Sequence, residues 1–162
     1  MSTRAIQYLK QKKIPFAVVR YDHAEKGAKF AASATGYPLE ATVKTLVVDL
    51  GEKQYSLVLM PGDRQLSMKL LAKACGVKRA AMVDIPTAER ITGYLVGGIS
   101  PFGIKKKIPV VMDEGTLGFE KILINAGQRG AMLMMDPAEI RKALACRVAS
   151  VAEPKPGHGI EE

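Results

Sequence analysis

One apolar run does most to limit what this chain can fold into. Val43-Lys44-Thr45-Leu46-Val47-Val48-Asp49-Leu50 is rich in β-branched residues, and beyond Gly51-Glu52-Lys53 a second β-rich run spans Tyr55 to Met60. β-branched side chains pack well on a pleated surface, and a short glycine-containing connection lets the chain return beside itself. The two runs are therefore expected to pair as an antiparallel hairpin at the centre of a sheet. Other elements follow from local signals. Thr3 can cap a helix whose Ala5, Ile6 and Leu9 share one stripe, with Lys10, Lys12 and Lys13 near its carboxyl end and Pro15 ending it. Phe16 to Tyr21 reads as a strand, and Ala24 to Gly36 as an alanine-rich helix. Ser67 caps a helix that Gly76 ends, Val77 to Val83 returns to the sheet, and Pro86 opens a helix through Ile91. Val110 to Met112 and Ile122 to Asn125 read as short strands, and Asp136 caps a closing helix over Pro137 to Ala145. The expected fold is α/β: a central mixed, curled sheet with helices packed outside.

A chain of 162 residues with 48% hydrophobic content can close one conventional core, so a single domain is expected. The formal charge of +8, from 24 Lys and Arg against 16 Asp and Glu, favours polyanions if the cations cluster and otherwise serves solubility. The first residues, MSTRAIQYLKQKKIPF, lack the apolar stretch of a secretory signal, and no segment approaches ~20 apolar residues. A soluble, cytoplasmic protein with no membrane partner is the expectation. Glu153-Pro154-Lys155-Pro156-Gly157-His158-Gly159 is too poor in apolar surface to offset its ordering entropy, and it reads as a disordered tail.

The familiar catalytic templates are missing. There is no nucleophile elbow, paired-histidine motif or Walker loop, and the histidines are His23 and His158 alone. His158 falls in the tail, and His23 is at most a rim residue. Cys75 and Cys146 are far apart, without metal-ligand spacing, and read as reduced structural thiols. Lys44 stands out because it interrupts an apolar strand. It is either a solvated edge-strand lysine or a cation in a cleft that contacts an anion or a substrate carbonyl. Gly93-Tyr94-Leu95-Val96-Gly97-Gly98-Ile99-Ser100-Pro101-Phe102-Gly103 holds four glycines around a proline. Such a loop makes ordinary turns, or it aims backbone N–H groups at a ligand as an oxyanion hole. Lys105-Lys106-Lys107 then either holds phosphates or forms a solvated face.

Val43-Lys44-Thr45-Leu46, then Thr92 to Gly103 followed by Lys105-Lys106, together resemble the signature of the YbaK/EbsC family, the prolyl-tRNA-synthetase-associated editing domain. The likeness covers nearly all of residues 1–151, including Lys-Lys-Ile-Pro-Phe at 12 to 16, Gln65-Leu66 and Gly127-Gln128-Arg129-Gly130, and leaves 152–162 as the tail. It implies a mixed, β-barrel-like sheet, no metal or other cofactor, and clearance of mischarged tRNA, classically cysteine or alanine on proline tRNA. Prolyl-tRNA synthetase is a possible further partner, and DNA is not one. Matched residue by residue, Lys44 is the family's essential lysine and Gly97 opens its Gly-x-x-x-Pro loop, with Gly98, Ile99, Ser100 and the closing Pro101 completing the catalytic set. Tyr21 and Phe30 match an aromatic pair, and Thr45 follows the lysine in the pocket. The chain departs from the cysteine-specific branch at Asn125, where a serine is usual, and at Met132, where an aspartate is usual. The resemblance further implies an oxyanion stabilised by the loop, and attack by water or by the substrate's own group, such as a cysteine thiol in a lyase-type release. A non-catalytic tRNA-binding module on the same fold is the rival from another class.

Overall fold

A computed structural model describes residues 2–22 and 27–155. His23 and His158 lie outside the described residues, as do Ala24, Glu25 and Lys26 at the start of the helix expected over Ala24 to Gly36. The hairpin forms as expected. β2 (Thr42–Asp49) pairs antiparallel with β3 (Tyr55–Pro61), bringing Lys44 opposite Met60 and Asp49 opposite Tyr55. The connection needs left-handed backbone: Gly51, Glu52 and Lys53 have φ of 109°, 53° and 61°, and Asp49 Oδ1 accepts the Gly51 amide at 2.7 Å.

Around this pair the sheet extends both ways. On one side lie β7 (Ile122–Gln128), parallel to β2, then β8 (Ala131–Met135) and β1 (Ala17–Arg20), each antiparallel to its neighbour. On the other side β6 (Val110–Asp113) runs parallel to β3, and β9 (Arg147–Ala149) parallel to β6. The mixed sheet is not closed into a barrel: β1 and β9 are its two edges. The segment expected to rejoin the sheet over Val77 to Val83 contributes two residues, β5 (Ala81–Met82), paired with the far end of β2.

Short helices cover the sheet, and their ends follow the expected chemistry. Thr3 accepts the Ile6 amide at the start of α1 (Arg4–Gln11), and Ser67 accepts that of Leu70 at the start of α3 (Met68–Cys75), which Gly76 ends at φ 68°. α2 (Ala28–Thr35) ends at Gly36, Asp84 caps α4 (Ile85–Thr92), and Asp136 caps α5 (Pro137–Leu144). Phe102, Leu57, Leu59, Ile91, Ile124 and Leu133 are fully enclosed in the main core, so the glycine loop plugs the fold through Phe102, with Ser100 and Pro101 buried beside it. The stretch from 152 onward, expected as tail, begins with order. β10 (Ala152–Pro154) pairs antiparallel with β4 (Arg64–Leu66), and Val151, its predecessor, is fully buried. Both Val151 and Ala152 donate their amides to the buried Asp113 carboxylate, which anchors this end of the chain. The residues from 156 lie outside the described residues.

Candidate active site

The site originates in a gap in strand pairing. One edge of β2 is hydrogen-bonded to β7 at Thr42 and Val43 and to β5 at Val48 and Asp49, while Val47 O accepts the Val83 amide at 3.2 Å. Between these contacts Lys44 to Leu46 have no strand beside them on that edge among the described residues. A cavity of about 380 Å³ occupies the gap, a volume suited to a small ligand. Its walls are Val43 to Val47 on β2, Met82 to Ile85 and Ala88, Ala28 and Ala31 of α2, Asn125 and Met132, and Val96, Gly97 and Ile99 of the loop, with Tyr21 and Gly27 at one side.

Lys44 is half-buried in this wall, and its Nζ donates to the Arg64 carbonyl at 2.6 Å. Burial pushes its pKa below the ordinary lysine value; the charge of Lys155 pushes the same way and Asp63 opposes them. The solvated edge-strand reading therefore does not hold. One of the three ammonium donors is occupied by a carbonyl, which leaves donors for a ligand. Arg64 is held in place because β10 pairs with β4, with Pro154 opposite Arg64 and Gln65 Nε2 donating to Glu153 Oε2 at 2.8 Å. Through that pairing the supposed tail brings Lys155 close enough to act on Lys44.

The glycine loop is tied down on its outer side. The Val96 amide donates to Glu89 Oε2 at 2.8 Å, Val96 O accepts from Arg129, and Gly97 O accepts the Asn125 side-chain amide at 3.1 Å. Gly97 has φ 97°, a conformation that side chains rarely adopt. Gly98 is required by close packing: a Cβ there would lie 2.8 Å from Gln128 Cα. The five loop residues expected to act together do not share one role. The Gly98 amide is spent on Leu95 O at 2.9 Å, Ser100 is fully buried with its Oγ accepting the Phe102 amide, and neither they nor Pro101 line the cavity. Gly97 and Ile99 do line it, and among the described residues no acceptor takes their amides.

The remaining expected residues separate in the same way. Tyr21 lines the cavity, whereas Phe30 stands behind it, ring tilted 53° at a centroid distance of 6.3 Å. Thr45 lines the cavity, and its Oγ1 is buried without a hydrogen-bond partner. Asn125 and Met132 face each other across β7 and β8, and both line the cavity. Asn125 is nevertheless occupied: Oδ1 accepts the Gly127 and Gln128 amides at 2.7 and 3.1 Å across a β-bulge, while Nδ2 serves Gly97 O and approaches Met132 Sδ at 3.9 Å. Lys105, Lys106 and Lys107 are exposed and line no part of the cavity. The Lys105 and Lys106 amides donate to the last carbonyls of α4, and Lys106 Nζ is 5.9 Å from the centre of the Tyr55 ring.

Sequence reasoning missed Arg64, Lys155, Asp84 and β8. Asp84, although in the cavity wall, is engaged as the cap of α4 through Thr87 N at 2.9 Å. Cys146 lies outside the cavity, and burial pushes its thiol up to about 11, which disfavours the nucleophilic thiolate. Among the described residues no group of three or more His, Cys, Asp or Glu could hold a metal ion, and no helix is long and apolar enough to cross a membrane.

A large mixed sheet covered by short helices is the architecture of a known class. Residues 23–143 match the family described as "Aminoacyl-tRNA editing domain", and the chain belongs to that family. Among particular relatives it is 33% identical, over 85% of each chain, to an Enterococcus faecalis protein named "Putative Cys-tRNA(Pro)/Cys-tRNA(Cys) deacylase EbsC". It is 27% identical to the Escherichia coli K12 protein named "Multifunctional Ser/Thr-tRNA deacylase ProXp-y", over 84% of this chain and 83% of the other. A solved structure described as "a putative trans-editing enzyme for prolyl tRNA synthetase" superposes with a TM-score of 0.84 at 26% identity, over 93% of this chain and 95% of that one.

Proposed function

We infer that this chain is a trans-acting deacylase that hydrolyses the ester of mischarged tRNA, with a small amino acid on proline tRNA as its substrate. The observation that carries this reading is the meeting, in the wall of one cavity, of a half-buried, carbonyl-tethered Lys44 with Gly97 and Ile99, whose amides are unengaged among the described residues. Lys44 holds the terminal adenosine or the ester, and the two amides receive the negative charge that develops on the carbonyl oxygen. Water, held by the neighbouring ribose hydroxyl, adds to the carbonyl carbon. The ester C–O bond then breaks, and the ribose oxygen leaves with a proton, giving free amino acid and tRNA. With a cysteine ester the alternative attacking group is the substrate's own thiol: its sulfur bonds to the carbonyl carbon, the ester C–O bond breaks, and the ribose oxygen leaves with the thiol proton, giving a cyclic thiolactone and tRNA.

The cavity wall is mostly aliphatic, and Asn125 has its amide turned to the loop instead of the ligand. Cysteine is then not the unique substrate. The relatives' names, one for cysteine and one for serine and threonine, agree with a pocket of this size that varies in preference. Lys105 to Lys107 add a phosphate contact away from the cavity, and prolyl-tRNA synthetase is the partner that would release the substrate. The test is to incubate the purified protein with tRNA(Pro) carrying cysteine, alanine, serine or threonine. Release of at least one of these amino acids is expected, and no turnover on any of them would overturn the reading.

A further inference from the structure

We propose that a second cleft, on the outer face of α3, is the surface that holds the phosphates of the RNA substrate's acceptor end; the inference rests on the deacylase reading above. α3 and the segment 77–80 enclose a shallow cleft of about 440 Å³ whose wall includes Lys69, Lys73, Lys78 and Arg79 and no acidic residue. All four cations reach solvent. Lys69 and Lys73 stand one helical turn apart, where like charges repel and weaken a helix, and α3 contains no Asp or Glu to relieve them. Gly76, left-handed at φ 68°, turns the chain so that Lys78 and Arg79 join the same wall. Arg147 adds a cation at this end by donating to Ala74 O at 2.9 Å.

Such solvated, uncompensated cations hold a small ligand weakly, but they hold a polyanion through the sum of many phosphate contacts and the counter-ions released. Position identifies the polyanion. Ala80 lines the cleft and Met82 lines the cavity, so two residues of chain, about 7 Å when extended, carry one wall into the other. A tRNA whose terminal ester occupies the cavity thus has the phosphates of its unpaired 3′ nucleotides, with the acceptor stem following them, within reach of the cleft. Lys105 to Lys107, at the carboxyl end of α4, line neither space and serve as the comparison cluster.

The experiment measures binding of uncharged tRNA(Pro) from about 50 to 200 mM salt. It compares the full chain, a quadruple variant (Lys69→Gln, Lys73→Gln, Lys78→Gln, Arg79→Gln), a Lys→Arg variant at 69, 73 and 78, and a triple Lys→Gln variant at 105 to 107. The quadruple variant is expected to bind about tenfold or more weakly, with a salt slope flatter by about 0.7 to 0.9 for each phosphate no longer neutralised. The Lys→Arg variant should bind as the full chain does, and the triple variant should be weakened less than the quadruple. Unchanged affinity and slope in the quadruple variant, whether or not the triple is weakened, would overturn the proposal. So would equal binding of the full chain to phosphatidylserine vesicles that disappears in the same quadruple variant, since the cleft would then be a general anionic surface. A full chain that binds tRNA through this cleft yet clears none of the four esters would refute the deacylase reading and leave the cleft standing. Ester clearance with an unchanged KM in the quadruple variant would do the reverse.

Discussion

The two concave surfaces of this protein use positive charge in opposite ways. In the cavity one lysine is drawn out of water, tethered to a carbonyl and surrounded by aliphatic wall; in the α3 cleft four cations stand in solvent. Screening by water and salt makes a solvated charge weak at any single contact, while a charge in a half-buried site acts strongly over a short distance. The first arrangement suits discrimination at one reacting bond, and the second suits a long, uniformly charged partner. The cavity variants should therefore change turnover regardless of how much RNA is attached to the ester.

The largest effect is expected from Lys44→Ala. Loss of the one charged donor held against the reacting group should lower kcat by about 10²–10³-fold, close to the cost of removing an oxyanion donor. The loss should be the same for aminoacyl-tRNA and for a 3′-aminoacylated CCA trinucleotide, measured by release of amino acid. A loss seen only with full tRNA would make Lys44 an RNA contact like those of the α3 cleft, and the contrast between the two surfaces would fail.

Asn125→Ala comes next. Asn125 ties the bulge of β7 to the Gly97 carbonyl, so it acts through the loop and is a positioning residue. Its removal frees Gly97 to reorient, and a displacement of about 1 Å at a reacting centre can cost roughly 10²-fold. The expected signature is a fall in kcat with little change in KM, together with a stability decrease of about 1–3 kcal/mol from the amides left unpaired. A rise in KM at constant kcat would instead mean that the side chain binds substrate directly.

A smaller effect concerns stability. Because burial lowers the Lys44 pKa, the folded protein holds that proton less tightly than the unfolded chain does. The penalty is complete below the folded pKa and is relieved as pH rises towards the ordinary lysine value of 10.5. Lys44→Met should thus raise the melting temperature near neutral pH, with a gain that shrinks on approach to pH 10.5. A gain independent of pH would trace the effect to packing and not to the buried charge.

What could be read from the sequence was what is decided locally. The β2–β3 hairpin, the Thr3, Ser67 and Asp136 caps and the Gly76 stop each depend on a few neighbouring residues, and each formed where its side chains required. β4, β9 and β10 are three residues each, too short to show a period, and exist only because distant segments pair with them. That is why Ala152–Pro154 reads as tail, and why Arg64 and Lys155 were missed beside Lys44. β8 was missed because Ala-Met-Leu-Met-Met has neither alternation nor β-branching. Within the cavity wall, Lys44 stood out as a cation in an apolar strand, and Gly97 through the glycine loop and the family resemblance. The direction of the Asn125 amide was not, since it depends on a bulge that strand periodicity does not reveal.

The smallest expected effect separates packing from recognition within the cavity itself. Thr45 presents a buried Oγ1 without a partner, next to a lysine whose own donors are only partly used. An unpaired buried hydroxyl is destabilising, so Thr45→Val, which keeps the shape and removes the oxygen, should leave the fold as stable or more so. If the hydroxyl receives its missing hydrogen bond from the substrate, the same variant should lose rate for amino acids that can supply it. Serine and threonine esters should slow by about tenfold, the equivalent of one hydrogen bond, while the alanine ester keeps its rate. The quantity to measure is the ratio of seryl- to alanyl-tRNA(Pro) deacylation in the two proteins, alongside their melting temperatures. A ratio that does not move, in a variant that has become more stable, would show Thr45 to be an ordinary strand residue and would leave substrate preference to the aliphatic shape of the cavity.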